Sequence, residues 1–159
     1  MKKISALTIG IIFGIWAADV VTKYLAVQYF SDGSSLNVLG NYLGFRLVYN
    51  TGGVFGIFQG NALLFHIMSG IAIIFLFGYY IKSPYNDIYF NLAVCFVLGG
   101  ALGNFTDRFF RPGVVDFIDM GIGIHRWPTY NVADAFISMG AVLLMISFYL
   151  IEQKEKKTR

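Results

Sequence analysis

The groups in this chain best suited to chemistry are two aspartates, Asp116 and Asp134, with polar side chains around them. Asp116 stands between Val115 and Phe117 with no basic neighbour in sequence. Asp134 follows Asn131 by three residues, at the mouth of an apolar run. Two carboxylates brought together in a poorly hydrated site cannot both ionise, so they share a proton. One is then a base able to activate water, and the other an acid able to protonate a leaving amine. That is aspartic-protease chemistry, and it needs no metal, serine or cysteine. Taken alone, Asp134 has a second reading, because an acid in the first turn of a helix is favoured by the helix dipole.

Asn104, Asp107 and Arg108 are spaced i, i+3 and i+4, so they share a face if the helix they end runs on through them. They read either as a polar clamp holding an outer loop or as part of the site. Arg108 would neutralise a nearby carboxylate, with Asp107 as its expected partner. Asp19 and Lys23, four apart, have the spacing of an ion pair on one helix face. Other chemistries have little to build on. No Gly-rich phosphate loop runs into a lysine, and His66 and His125 are far apart in sequence, a poor start for a metal site. Ser69 and Ser138 lie inside apolar runs with no oriented base evident. The single Cys95 excludes an intrachain disulfide and reads as a core-filling residue. No metal or cofactor is expected.

The elements that must position these groups are apolar. Hydrophobic residues make up 57% of the chain and charged ones 13%, against roughly a quarter charged in an average globular domain. Such a composition, with a mean hydropathy of +0.64, excludes an ordinary soluble domain. It leaves a polytopic membrane protein or a soluble helical oligomer. A bilayer span needs about 20 predominantly apolar residues, and four stretches come close to that length, about 4–26, 62–81, 88–104 and 132–151. The expected architecture is therefore one all-α polytopic membrane domain with four transmembrane helices. Lys2 and Lys3 before an apolar stretch resemble the start of a signal peptide, but no small-x-small cleavage site closes it, so a retained first span is expected.

A net charge of +3 does not point to nucleic acid, since most Lys and Arg sit in short groups beside apolar runs. Lys2, Lys3, Lys82, Lys154, Lys156, Lys157 and Arg159 fall on the side of the termini, and Lys23, Arg46, Arg108, Arg111 and Arg126 on the other. The bias, with the terminal groups tightest against the spans, places both termini in the cytoplasm and the aspartates at the outer face.

Two outer segments remain, 28–60 and 107–130. The first carries turn formers and a β-like stretch from Leu43 to Asn50, which predicts a short strand pair or small sheet lying on the membrane. Trp127, Tyr130, Tyr42 and Tyr49 suit the half-wet interfacial belt. A small proton-coupled transporter is the rival reading. It requires ionisable residues deep within spans and an internal repeat; here the acids gather at one end of the spans and no repeat is found.

Four motifs then stand in order: Asp19-Val20-Val21-Thr22-Lys23; Asn50-Thr51-Gly52-Gly53-Val54-Phe55-Gly56; Gly103-Asn104-Phe105-Thr106-Asp107-Arg108 with Val115-Asp116-Phe117; and Tyr130-Asn131-Val132-Ala133-Asp134. Together they closely resemble the bacterial lipoprotein signal peptidase family (signal peptidase II) over nearly the whole chain. The resemblance implies an inner-membrane aspartic endopeptidase that cleaves prolipoproteins just before a cysteine carrying diacylglycerol. It implies a lipidated prolipoprotein substrate, membrane lipids as partners and a monomer. By position Asp116 and Asp134 fall on the catalytic pair, and Asn104, Asp107, Arg108 and Asn131 on supporting polar residues. Asp19 and Lys23 fall on the first-span motif, and Asn50 on the substrate-side loop. A small periplasmic β-cradle and a flap over the site are implied for 28–60 and 119–130. One departure is Gly53-Val54, where the family often has two alanines or Gly-Ala; valine is bulkier and stiffer at χ1.

Overall fold

Two of the long helices begin at side chains that satisfy amide donors left open by a helix start. Ser5 Oγ accepts the N–H of Thr8 at 3.1 Å, and Asp87 Oδ1 accepts that of Phe90 at 3.0 Å. A computed structural model describes residues 4–52 and 62–158 of the chain. In chain order the elements are α1 (Ala6–Phe30), β1 (Ser35–Leu39), β2 (Leu43–Asn50), α2 (Ala62–Lys82), α3 (Ile88–Phe110), β3 (Val114–Ile122), β4 (His125–Arg126) and α4 (Val132–Thr158). All four helices are long and apolar enough to cross a membrane, so the expected four-helix membrane architecture with a small sheet is the one that forms.

The helices outrun their hydrophobic stretches. α3 continues past 104 to Phe110, where the N–H of Arg111 closes the last turn on the Asp107 carbonyl at 2.8 Å. Asn104, Asp107 and Arg108 are therefore helical neighbours. α4 continues past 151 into the charged tail, where helix formers support it. The pair there, Glu152 with Lys156 at 2.6 Å, is exposed and contributes little.

α3 is the axis of the bundle. Half of its membrane window is buried, against 17, 6 and 11% for α1, α2 and α4, whose outward faces are left for lipid. Its first half packs Phe90, Val94 and Leu98 with Tyr80 of α2, Ile12 of α1 and Leu144 of α4. Its second half is thinned by glycine. A Cβ on Gly100 would stand 2.5 Å from the Ala133 carbonyl oxygen, and one on Gly103 would collide with the Asp19 carboxylate. Those two absent methyls let the start of α4 and the polar face of α1 close onto α3.

Above the bundle lies an antiparallel sheet in the order β1-β2-β3-β4. The strand pair expected in the first outer segment is β1 with β2. The second outer segment supplies β3, which pairs with β2 in the register Val48↔Asp116 and Tyr49↔Val115, with an irregularity between Phe45 and Val48. Val115 and Phe117 pack with Phe45 and Leu47 on Ala26, Val27 and Phe30, so the end of α1 carries the sheet. The segment expected as a flap is a hairpin pinned at its base, where Ile118 and Tyr130 exchange backbone hydrogen bonds of 2.8 and 3.1 Å. Arg126 ties it to Asp119 at 2.8 Å, and Arg46 of β2 reaches Thr129 at 2.8 Å. Gly53 and Val54 lie outside the described residues.

Candidate active site

Asp134 is held by the start of its own helix. Asn131 precedes α4, and its Oδ1 accepts the N–H of Asp134 at 2.9 Å, while Asp134 Oδ2 accepts the N–H of Asn131 at 3.3 Å. This is a reciprocal capping box built from Asn and Asp. The capping reading and the site reading are thus compatible, because capping engages one carboxylate oxygen and leaves the other. That second oxygen, Oδ1, accepts Asn104 Nδ2 of α3 at 2.8 Å.

Asp116 arrives from the sheet. Asp107 Oδ2 accepts the N–H of Val115 at 3.0 Å, which fastens β3 to α3 one residue before the carboxylate. Asn131 Nδ2 donates to Asp116 Oδ1 at 2.7 Å, and Asn50 Nδ2, from the end of β2, donates to Oδ2 at 3.2 Å. Asn50 is itself oriented by the N–H of Gly52 on its Oδ1 at 3.1 Å. One residue, Asn131, therefore holds both carboxylates, Asp116 by its side-chain amide and Asp134 by its backbone N–H. Asp116 is only 3% exposed. Burial, and then the charge of Asp134, push its carboxyl up to about 7, against the opposing hydrogen bonds of Asn50 and Asn131 and the charge of Lys23.

Beneath the pair lies a buried ionic cluster. Lys23 meets Asp19 Oδ2 at 2.7 Å and Asp107 Oδ2 at 2.8 Å, and donates to Asn104 Oδ1 at 2.9 Å. Asp19 Oδ1 accepts the N–H of Ala133 at 2.8 Å, a second anchor for the start of α4. Asp107 completes the cluster with Arg111 at 3.4 Å.

All nine residues expected at the site come together at one end of the bundle: Asp19, Lys23, Asn50, Asn104, Asp107, Arg108, Asp116, Asn131 and Asp134. One of the expected partnerships differs. Asp107 pairs with Lys23 and Arg111, not with Arg108, because on α3 its carboxylate turns inward to α1 while the next residue turns out. Arg108 instead donates to the Asn104 carbonyl at 3.1 Å and lines a cleft, within electrostatic reach of Asp134, Asp107 and Asp116. The Asp19–Lys23 pair forms as its spacing predicts, and α3 supplies both further partners of the lysine. Arg111 was not singled out in sequence, although its i, i+4 spacing from Asp107 was available to signal it. His66 sits edge-on to Phe109 with ring centroids 3.9 Å apart, an aromatic contact between α2 and α3. Among the described residues no group of three or more His, Cys, Asp or Glu is placed to hold a metal ion.

The cleft has a volume of about 1350 Å³. Its roof is polar and aromatic, with Tyr42, Tyr49, Trp127 and Tyr130, and its lower wall is apolar, with Phe65 of α2 and Ile137 of α4. Asp116 and Asp134 lie on its wall where roof and bundle meet. The arrangement can bring a polar, chain-like ligand to two carboxylates while apolar groups of the same ligand stay level with the helices.

In comparison with known proteins, residues 11–150 match the family described as signal peptidase (SPase) II. The chain is 37% identical over 141 residues to a lipoprotein signal peptidase of Halalkalibacterium halodurans, covering 89% of this chain and 90% of that one. It is 39% identical over 151 residues to that of Treponema denticola, covering 89% and 87%. Two solved structures, each described as a bacterial membrane enzyme determined by the in meso method, are similar at 32% identity. The first has a TM-score of 0.86 and covers 98% of this chain and 94% of its own; the second has 0.82, with 92% and 95%.

Proposed function

The chain belongs to the signal peptidase II family, and from that membership we infer that it cleaves signal peptides from prolipoproteins as an aspartic endopeptidase, with Asp116 and Asp134 as its catalytic pair. The observation that carries the catalytic assignment is that two carboxylates, from β3 and α4, are bound by the one residue Asn131, Asp116 through its side-chain amide and Asp134 through its backbone N–H, on the wall of a large cleft. The ionised member takes a proton from water, whose oxygen attacks the carbonyl before the lipidated cysteine. The protonated member donates a hydrogen bond to that carbonyl oxygen, and the leaving amine is protonated as the carbon–nitrogen bond breaks. Arg108, at the same cleft wall, offsets the net charge of the pair. Asn50 holds Asp116 from the substrate side, and the Asp19, Lys23 and Asp107 cluster fixes the helix ends.

A position at the outer end of the spans suits a substrate whose acyl chains stay in lipid while its scissile bond reaches the interface. We read both termini as cytoplasmic and the site as facing outward in a multi-pass bacterial inner-membrane protein. One chain supplies both carboxylates, which fits a monomer with lipid around it. Transport is not favoured, because the family is one of peptidases.

The deciding test is incubation of purified enzyme with a diacylglyceryl-modified prolipoprotein peptide and with its unlipidated twin. Cleavage just before the modified cysteine, a much slower reaction with the twin, and no loss of rate in a strong chelator are the expected results. Equal rates on both peptides would remove the lipid requirement, and strong inhibition by chelator would remove the two-carboxylate mechanism.

The pH profile follows from Asp116. Its proton is held up to about pH 7 by burial and by Asp134, and the reaction needs one proton on the pair. Cleavage measured as kcat/KM is therefore expected to fall on an alkaline limb with an apparent pKa near 7. A profile flat through pH 9 would show that this proton is not required.

A further inference from the structure

The face of α4 that carries Asn131 and Asp134 does not end with them. Ser138 follows at i+4 from Asp134 and i+7 from Asn131, so it continues the same stripe about 6 Å further along the helix. It lines the cleft with Ile137 of α4 and Phe65 of α2. Beyond it the stripe turns apolar. Val142 and Met145, the next residues on that face, are both exposed on the surface of the span.

Ser138 differs from the other serine and threonine hydroxyls within the spans. An unpaired polar group is costly in a bilayer, and a helical hydroxyl can bond the carbonyl one turn back. Thr22, Ser69 and Thr106 do so, to Ala18, Phe65 and Leu102 at 2.8, 2.6 and 2.8 Å. Thr8 meets Ser5 at 2.9 Å, and Ser147 meets Asp87 at 2.9 Å. Among the described residues Ser138 has no hydrogen-bond partner, so its hydroxyl is left to an occupant of the cleft.

The order of polarity along this stripe has a chemical match. A carboxylate comes first, a neutral hydroxyl one turn later, and then bare hydrocarbon. A diacylglyceryl-modified cysteine has the same order: the scissile bond, the glycerol esters a few bonds along the thioether, then the acyl chains. An ester carbonyl only accepts hydrogen bonds. Of the side chains α4 gives to the cleft wall beyond Asp134, which are Ala135, Ile137 and Ser138, only the serine can donate one.

We propose that Ser138 is a specificity-determining residue that donates a hydrogen bond to an ester carbonyl of the substrate's diacylglyceryl group, while the acyl chains run on past Val142 and Met145. The inference rests on the lipoprotein-peptidase reading of the site and deepens it. It names what is recognised in the lipid besides its hydrocarbon, and it leaves the carboxylate chemistry as described.

The test compares two lipidated peptides of equal chain length, one with ester-linked and one with ether-linked glyceryl chains. The ether has no carbonyl to accept the bond. Both are assayed in an alkyl maltoside, which carries no ester of its own. The wild type is expected to show a KM about threefold to tenfold lower for the ester, the scale of one net hydrogen bond, at similar kcat. Ser138→Ala should fold like wild type, alanine being the better helix former, and should cleave both peptides with the KM of the ether. A purely structural serine would shift both peptides alike and leave the preference in place. If Ser138 served ester carbonyls of bilayer lipid instead, the wild type would show no preference. Equal KM values in the wild type, or a preference that survives in Ser138→Ala, would therefore overturn the proposal. Cleavage of neither lipidated peptide by the wild type would instead show that the peptidase reading itself had failed, and the proposal with it.

Discussion

Asp116→Asn and Asp134→Asn are each expected to lower cleavage of the lipidated peptide by roughly a thousandfold or more, the scale of losing a positioned general acid or base. Neither should unfold the protein. Asparagine at 134 still offers an oxygen to the N–H of Asn131, and asparagine at 116 still offers one to Asn131 Nδ2. The first variant carries a stability signature as well. Asp116 keeps its proton up to about pH 7 in the folded protein, well above its ordinary 3.8, so between those values the folded state binds more protons than the unfolded one. Its contribution is then fully present below the ordinary value and is lost as pH rises through about 7. Asp116→Asn, which has no charge to bury, should melt at or above the wild-type temperature at pH 8, with the gap closing toward pH 4. Thermal unfolding in detergent at both pH values reads this directly. Turnover near wild type in either variant would remove the pair from the mechanism, and an unchanged melting difference across pH would remove the buried-proton account of Asp116.

What could be read from the residues, and what could not, divides by distance along the chain. The four spans follow from apolar length, which is local. The Asp19–Lys23 pair follows from i, i+4 spacing, also local. Asn131 and Asp134 carried a legible cap signal, and the structure shows it as a reciprocal box. The other partners of Lys23 were hidden, because Asn104 and Asp107 lie on another helix and only packing through Gly103 brings them in. For the same reason Asp107 was matched to its sequence neighbour Arg108 instead of to the lysine across the bundle. Strand β3 was missed as a partner of β2 because Asp116 and Asp119 break the apolar run, and cross-segment pairing leaves no local mark. The meeting of Asp116 with Asp134 came from motif order, not from spacing. Its physical basis is visible only once Asn131 is seen to hold both.

Asp19→Ala is expected to act on the fold first, costing about 3–5 kcal/mol of stability by leaving a buried charge short of a partner. Asp19 is fully buried and does three things at once. It neutralises Lys23 at 2.7 Å, accepts the N–H of Ala133 at 2.8 Å, and fills the space that Gly103 leaves open on α3. Alanine there removes all three and leaves Lys23 to Asp107, which already serves Arg111 and the Val115 amide. The start of α4 would lose a cap, and the anchor of β3 would share an unbalanced charge. Both carboxylates of the site would then move with the elements that carry them. The expected result is a marked drop in melting temperature and yield, with residual activity roughly in proportion to the folded fraction. Asp19→Asn should be milder, since its amide oxygen can still cap α4. Gly103→Ala should resemble Asp19→Ala, because a Cβ there collides with the same carboxylate. If Asp19→Ala melted like wild type yet had lost turnover, the aspartate would belong to the chemistry, and the division between a reacting pair and a supporting ionic cluster would have to be redrawn.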